Sequence, residues 1–161
     1  MIVSNKRAQK PRGELKNLVR FVVADTTYSF DVATIEEVVH PGPITPLPHM
    51  AASIIGVFDH RGRVTPVVDM RVRFNLPAAT IRTSKWILTR TKHGLVGFGV
   101  DRVLDVVGMS TALAATPSVG GGAGSRFLRG VTHFDGVLVF ACDEDLLASV
   151  VTDLDLPAAL E

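Results

Sequence analysis

The chain has 161 residues, of which 47% are hydrophobic, and its formal net charge is +1. This length suits one domain or two small fused barrels with an adequate core. No apolar run reaches the ~18 residues of a membrane span, and the balanced charge shows no overall nucleic-acid footprint. The polar N-terminus lacks a secretory signal, which predicts a cytoplasmic protein with no direct membrane insertion.

The first residues form a basic segment with few apolar side chains. This composition predicts a flexible, solvated tail over residues 1–17, with a contact to nucleic acid or lipid as the alternative. The cationic residues of the segment are Lys6, Arg7, Lys10, Arg12 and Lys16.

Short strands dominate the pattern from Leu18 onward. Residues 18–24 are rich in β-branched side chains, and residues 28–32 alternate apolar and polar side chains, so together they predict a β-hairpin. Pro66 lies within a later apolar run and predicts an edge or a bulge there. The further predicted strands are residues 35–39, 54–58, 64–68, 86–89, 95–100, 103–107 and 136–141.

The C-terminal part of the chain predicts one helix. Acidic residues 143–145 place negative charge at its start, apolar residues follow on one face as far as Leu154, and Pro157 ends it. Many short strands with one terminal helix predict an all-β barrel or sandwich. The glycine-rich residues 118–125 predict a mobile loop.

No catalytic or metal-binding constellation stands out in the sequence. The five histidines lie too far apart to suggest a local metal site, although ligands from distant segments could converge. The glycine-rich segment lacks the Lys-Ser/Thr ending of a phosphate-binding loop. Cys142 ends an apolar strand, which indicates a buried structural thiol. The residues therefore predict neither an enzyme nor a bound cofactor, and they leave a nucleic-acid-binding β-barrel as an alternative function.

Residues 54–74 closely resemble the signature of CheW-like domains. This family typically shows a Gly-Val-Ile-Asn-Leu-Arg-Gly segment, a spacer, and then Pro-hydrophobic-Val-Asp-Leu. The resemblance continues in order over roughly residues 18–150, from the first hairpin to the closing strand and helix. The signature positions that match are Gly56, Val57, Arg61, Gly62, Pro66, Val68 and Asp69.

The resemblance implies an all-β fold of two five-stranded SH3-like barrels packed side by side, with a short C-terminal helix. The expected first barrel covers roughly residues 25–76. The expected second barrel covers roughly residues 84–150 and takes in the first strand, residues 18–24, so that the barrels interleave. Residues 151–161 are expected to form the end of the helix and a tail.

The resemblance also implies a function, that of a non-catalytic adaptor in chemotaxis. Such adaptors couple the cytoplasmic tip of a chemoreceptor to the regulatory domain of a CheA-type histidine kinase, within receptor–kinase arrays, and they need no nucleic acid or metal. The receptor-binding positions carried over from the family are Ile35, Glu37, Gly56, Arg61 and Val106. The kinase-binding positions lie in the second barrel and are Asp101, Arg102 and Val103.

Two features bear on the receptor contact. Glu37 and Arg61 are expected to form an ion pair at the rim of the receptor groove, since the planar guanidinium can hold a carboxylate and still present donors to a partner. The chain departs from the family at Asp59 and His60, which replace the usual Asn-Leu. This departure suggests an alternative, a CheW-like variant that binds the kinase but not the receptor.

Overall fold

The computed structural model describes residues 15–77, 85–110, 123–152 and 154. The strands in these ranges are β1 (Leu15–Val23), β2 (Thr26–Asp31), β3 (Ile35–Val39), β4 (Ile54–His60), β5 (Arg63–Asp69), β6 (Lys85–Thr91), β7 (Gly94–Val100), β8 (Arg102–Ser110), β9 (Leu128–Phe134) and β10 (Val137–Cys142). The α-helices are α1 (Met70–Arg73) and α2 (Glu144–Ala148). A 3-10 segment, Val32–Thr34, joins β2 to β3 and is called the crossover turn below; two others are Ala123–Phe127 and Ser149–Val151.

The strands form two five-stranded sheets. The central sheet has the order β3-β6-β7-β5-β4, and the terminal sheet has the order β8-β1-β2-β10-β9. Each sheet contains one parallel pair, β5 with β7 and β2 with β10, beside antiparallel neighbours. The chain therefore begins the terminal sheet, builds the whole central sheet, and returns to complete the terminal sheet.

The two sheets share one local arrangement. In each sheet, the second strand of a hairpin forms the parallel pair and then leads into a short helix. The hairpin β4–β5 is followed by α1, and the hairpin β9–β10 is followed by α2. Both hairpin turns hold two residues at positive φ, Arg61 (52°) and Gly62 (83°) in one, Asp135 (54°) and Gly136 (77°) in the other. This geometry is typical of the type I′ turn, whose twist matches that of the flanking strands.

Each of the two helices begins after a capping aspartate. The Asp69 carboxylate accepts a hydrogen bond from the backbone N–H two residues later, and the Asp143 carboxylate accepts one from the N–H three residues later. These bonds satisfy backbone donors that have no partner within the helix. The first helical residues, Met70 and Glu144, are both buried and occupy equivalent positions in the two halves of the fold.

The largest hydrophobic core lies between the two sheets. Phe21 and Phe30 enter it from the terminal sheet, and Ile87 and Phe98 enter it from the central sheet. The rings of Phe30 and Phe98 meet edge to face with their centroids 5.2 Å apart, an arrangement that adds to the gain from burial. Cys142 also lies in this intersheet core, which confirms the predicted buried thiol.

Both sheets curl toward barrels. In the terminal sheet, the edge strands β8 and β9 contribute Val107 and Phe134 to one small cluster. In the central sheet, His60 at the end of β4 reaches Glu36 of β3 at 3.1 Å, although the edges of a flat five-stranded sheet would lie about 19 Å apart. The predicted fold class is confirmed, with the difference that no backbone ladder joins the edge strands of either sheet in the described residues.

Sheet membership differs from the expected division of the chain. The segment expected as the first barrel, residues 25–76, starts with β2, which pairs in the terminal sheet. Strands β6 and β7, expected in the second barrel, pair in the central sheet. Strand β1 pairs with β2 and with β8, so it lies in the middle part of the terminal sheet. The local patterns identify strands, whereas membership of a sheet depends on long-range packing that these patterns do not encode.

Several local features also depart from the predictions. Strand β1 begins at Leu15, so residues 15–17 are strand and only residues 1–14 of the predicted tail lie outside the described residues. Strand β9 and helix α1 were absent from the predicted elements. Most of the predicted mobile loop, residues 118–122, lies outside the described residues.

Pro66 lies in neither an edge strand nor a bulge of its own strand. Strand β5 is flanked by β4 and β7. Pro66 is opposite Val57, whose own N–H and carbonyl bond to Thr45, and the ladder with β7 begins only at Val67. The missing donor of the proline therefore falls just outside the β7 ladder, which is why the residue is tolerated in this strand.

Candidate functional site

Two exposed apolar side chains lie at the edges of the sheets, on the faces toward the intersheet core. Val38 of β3 is opposite Ile87, and Val106 of β8 is opposite Val19, which is itself opposite Phe30. Residues opposite one another point to the same side of a sheet, and Ile87 and Phe30 belong to the intersheet core. Val38 is 39% exposed and Val106 is 57% exposed. The apolar surface of the core therefore continues to solvent at these two edges.

Ile35 belongs to the same apolar surface. It lies at the start of β3, opposite Thr89, and packs partly buried against the intersheet core. Two of the predicted receptor-binding residues, Ile35 and Val106, thus border one core from different sheets.

A charged cluster joins edge strand β3 to the β4–β5 hairpin. The Nε2 atom of His60 lies 3.1 Å from an Oε2 of Glu36 and 3.6 Å from Oε2 of Glu37. The Glu37 carboxylate also lies 3.3 Å from Nη2 of Arg61. Two further arginines, each 3.8 Å from the Glu36 carboxylate, are Arg63 and Arg90.

A β-bulge explains how two adjacent glutamates reach the same hairpin. Neighbouring residues of a regular strand point to opposite faces. The register of β3 with β6 shifts between Ile35 and Glu37, so Glu36 is the extra residue, and a bulge re-aims side chains in this way. The His60 side chain is only 8% exposed. The imidazole is therefore the least exposed member of this charged cluster.

The predicted ion pair between Glu37 and Arg61 is confirmed. Arg61 occupies the first positive-φ position of the β4–β5 turn, and its side chain is 75% exposed. A pair so open to solvent stabilises the fold by only about 0–1 kcal/mol. Most of the Arg61 side chain faces solvent, which leaves guanidinium donors open to further contacts.

Gly56 has a packing role that the structure defines. A Cβ atom at this position would lie 2.6 Å from the carbonyl oxygen of Thr45 and 2.9 Å from its carbonyl carbon. The backbone of Thr45 pairs with that of Val57 through two hydrogen bonds of 2.8 and 2.9 Å. Gly56 therefore allows the segment before β4 to lie directly against the strand. A part of Gly56 in receptor binding stays a prediction.

The three predicted kinase-binding residues lie in the β7–β8 connection, Asp101, and at the start of β8, Arg102 and Val103. Asp101 accepts hydrogen bonds from Nε (3.1 Å) and Nη2 (2.7 Å) of Arg71 and from the backbone N–H of Ala24 (2.8 Å). Burial raises the pKa of Asp101, but the hydrogen bonds from Arg71 and Ala24, together with the charges of Arg71 and Arg102, outweigh it, so the pKa lies below its ordinary value. This carboxylate ties the connection to α1 and to the β1–β2 turn. Of its two neighbours, Arg102 is exposed and Val103 packs partly buried against the intersheet core.

Two residues of the charged cluster were missed as site residues from the sequence. Glu36 was passed over because strict alternation places it on the face opposite to Glu37, and the bulge overrides that alternation. His60 was noted only as a departure from the family signature. Its position directly before Arg61 in the turn was the available signal.

The comparisons with known proteins agree with this architecture. The family model for the CheW-like domain matches residues 17–151, so the chain belongs to the CheW-like family. The chain is similar to the chemotaxis protein CheW of Rhizobium meliloti (strain 1021), with 31% identity over 81% of this chain and 85% of the relative. It is also similar to the chemotaxis protein CheW of Thermotoga maritima, with 30% identity over 84% of this chain and 89% of the relative.

A solved structure shows the same fold. The crystal structure of the scaffolding protein TtCheW from Thermoanaerobacter tengcongensis superposes with a TM-score of 0.76 and 25% sequence identity. The match covers 87% of this chain and 92% of that protein. Within the described ranges, no helix is long and apolar enough to cross a membrane, and no group of three or more His, Cys, Asp or Glu side chains could hold a metal ion.

Proposed function

We propose that this chain is a non-catalytic chemotaxis adaptor that couples the cytoplasmic tip of a chemoreceptor to the regulatory domain of a CheA-type histidine kinase. Its membership of the CheW-like family and the names of its relatives support the proposal. The adaptor acts in the cytoplasm, at receptor–kinase arrays. It needs no cofactor, because coupling requires only contacts that differ between the signalling states of the receptor.

The observation that carries the proposal is the apolar surface that continues from the intersheet core to two exposed sheet edges, one of which also carries a charged pair. Val38 and Val106 expose this surface. Glu37, the residue before Val38 on edge strand β3, points to the opposite face of that strand and pairs with Arg61 of the β4–β5 turn. An amphipathic helix packs its apolar face into such a surface. The proposed receptor-binding residues remain Ile35, Glu37, Gly56, Arg61 and Val106.

The kinase is proposed to bind at the β7–β8 connection. Arg102 faces solvent there and supplies the direct contact, with the outer part of Val103 beside it. Asp101 acts less directly, because its carboxylate holds the connection against Arg71 and Ala24.

The test is binding of the full chain to an isolated receptor tip and, separately, to an isolated kinase regulatory domain. Arg61→Glu should weaken receptor binding about tenfold and leave kinase binding unchanged, and adding Glu37→Arg should recover part of the loss. A double-mutant cycle measures the coupling between the two residues. Arg102→Glu is the reciprocal control, expected to weaken kinase binding alone. Receptor binding at the wild-type level by Arg61→Glu would remove Arg61 from the site.

The contacts of His60 favour a second candidate, an adaptor that binds the kinase but not the receptor. His60 lies within 3.6 Å of both Glu36 and Glu37 and so engages carboxylates that a receptor would otherwise meet. Under this alternative the wild-type chain binds only the kinase regulatory domain. His60→Leu, which introduces the residue usual in the family, should then create receptor binding.

A further inference from the structure

Glu144 is a buried carboxylate at a position that the other half of the fold fills with an apolar side chain. The side chain of Glu144 is 6% exposed, and burial raises its pKa above the ordinary value for glutamate. Met70, the equivalent first residue after a capping aspartate, is fully buried. A thioether therefore satisfies the packing at this kind of position. Because burying a charged group costs free energy unless its partners compensate, the carboxylate indicates a role beyond filling space.

The partners of Glu144 lie in the crossover turn and the residue before it. Its Oε2 accepts a hydrogen bond from the backbone N–H of Asp31 at 3.0 Å. The hydroxyl of Thr34 lies 3.3 Å from the same oxygen and shares its one proton with the carbonyl of Asp31 at 2.7 Å. The Asp31 carboxylate in turn accepts a hydrogen bond from the N–H of Ala33 at 2.9 Å. One carboxylate from α2 thus holds both ends of the crossover turn.

The crossover turn determines where β3 begins. The N–H of Ile35 donates to the carbonyl of Val32, so Ile35 leaves the turn directly into the strand. Arg90 of β6 braces the turn from the other side through a 3.0 Å hydrogen bond to the carbonyl of Ala33. The placement of Ile35, and of Glu37 two residues later, therefore depends on contacts made by α2 and β6.

We propose that Glu144 is a positioning residue of the receptor-binding site, acting through the crossover turn on Ile35 and Glu37. This inference rests on the function proposed above and extends it to the C-terminal helix, which lies outside both proposed contacts. With the crossover turn anchored by Glu144, Ile35 and Glu37 are already positioned when a receptor helix binds. When the turn loses this anchor, receptor binding must also order β3, and the free-energy cost of that ordering lowers the affinity.

The contacts of Glu144 suggest one conservative substitution and one that removes its hydrogen bonds. Oε1 of Glu144 lies 3.6 Å from Arg129 of β9, which also lies 3.5 Å from Asp143. Glutamine keeps an oxygen for Asp31 and Thr34 and gives up only the charge toward Arg129. Methionine, the residue of the equivalent position, keeps the volume and removes both acceptors. The pair of variants therefore separates hydrogen bonding from packing.

The experiment measures the affinity of the full chain for the isolated receptor tip and for the isolated kinase regulatory domain by calorimetry. Glu144→Met should weaken receptor binding by about fivefold or more and change kinase binding by less than about twofold. Glu144→Gln should bind the receptor like the wild type. Thr34→Val removes the hydroxyl that contacts both the Glu144 carboxylate and the carbonyl of Asp31. It should weaken receptor binding in the same direction and serves if Glu144→Met does not fold.

The matched control is Asp143→Ala, which destabilises α2 by removing its cap and leaves the contacts of Glu144 to the turn. It should keep receptor binding within about twofold of the wild type. An equal loss of receptor binding in Asp143→Ala and Glu144→Met would overturn the proposal, because it would show a general effect of helix stability. Unchanged receptor binding in a folded Glu144→Met would overturn it as well.

A second readout separates this inference from the function on which it rests. Backbone amide chemical shifts of residues 33–38 should move in Glu144→Met and stay near those of the wild type in Glu144→Gln. If the wild type binds no receptor tip, the proposed function fails, and these shifts still decide whether Glu144 positions β3. Unmoved shifts in Glu144→Met would refute the positioning role whatever the receptor result.

Discussion

Among single residues, Arg71 of α1 and Asp101, between β7 and β8, form a bidentate ion pair whose carboxylate also accepts from Ala24 beside the terminal sheet. Both side chains are 22% exposed, and Arg71 holds the carboxylate through two nitrogens. Hydrogen bonds to charged groups contribute about 1.5–3 kcal/mol, so Arg71→Met should lower the free energy of unfolding by that amount. Urea denaturation measures the change, with Arg102→Met as the exposed control. A loss no larger than that of the control would show that the pair is effectively solvated.

The same pair predicts a dependence on pH. The pKa of Asp101 is lowered in the folded chain, so its contribution is complete above the ordinary aspartate pKa of about 3.9 and is lost as the pH falls through the lowered value. The difference in stability between wild type and Arg71→Met should therefore shrink under acid. A difference that stays constant from neutral to strongly acidic pH would contradict this assignment.

Glu144 should show the opposite pH dependence. Burial raises its pKa, so the folded chain binds this proton more tightly than the unfolded chain. The stability of the wild type relative to Glu144→Gln is therefore greatest below the ordinary glutamate pKa of about 4.3 and falls as the pH rises through the raised value. Denaturation of both proteins at several pH values between these limits tests the sign. Parallel stability curves would mean that Glu144 titrates alike in both states.

At the scale of elements, the strands were predictable where alternation or β-branched runs were strong, as in β2, β3 and β7. Strand β9 was missed because its residues, Leu128–Phe134, mix Arg, Gly, Thr and His with few apolar positions. Helix α1 is a single turn, too short to show helical periodicity. Its capping aspartate belongs to the family signature, yet the helix itself is visible only in the structure.

The capping aspartates carry an element-scale prediction. Asp69→Ala and Asp143→Ala each remove a hydrogen bond to an otherwise unpaired backbone N–H, which should cost about 0.5–2 kcal/mol of stability. Asn at either position should restore most of the loss, because it offers an equivalent acceptor. Thermal or urea unfolding of the four variants provides the measurement. Failure of both Asn variants to recover stability would point to the lost charge instead of the cap.

At the scale of the molecule, the resemblance gave the number of strands and the pairing of two barrel-like sheets, but not the path of the chain between them. The missing information is the parallel contact of β2 with β10 and of β5 with β7, which joins residues far apart in sequence. The candidate site could be predicted only in part from the sequence, for the same reason. Glu37 and Arg61 were identifiable as a pair, whereas the bulge at Glu36 and the anchoring of β3 by Glu144 arise from tertiary packing.

This topology predicts that the chain unfolds as one cooperative unit. Along the chain, all strands of the central sheet come between β2 and β8 of the terminal sheet, and both sheets contribute side chains to the largest core. The single tryptophan, Trp86, reports on the central sheet, and the single tyrosine, Tyr28, reports on the terminal sheet. Trp fluorescence, near-ultraviolet Tyr absorbance and far-ultraviolet circular dichroism should give coincident urea transitions, as expected of two-state unfolding.

A core substitution sharpens this prediction. Phe98→Ala removes the central-sheet ring that meets Phe30 across the interface, and truncation of a buried phenylalanine costs about 3–5 kcal/mol. Because the core is shared, the transitions reported by Trp86 and Tyr28 should shift together and by equal amounts. A shift of the Trp86 transition alone would show that the sheets unfold separately. The two sheets would then be independent domains in spite of their interleaved strands.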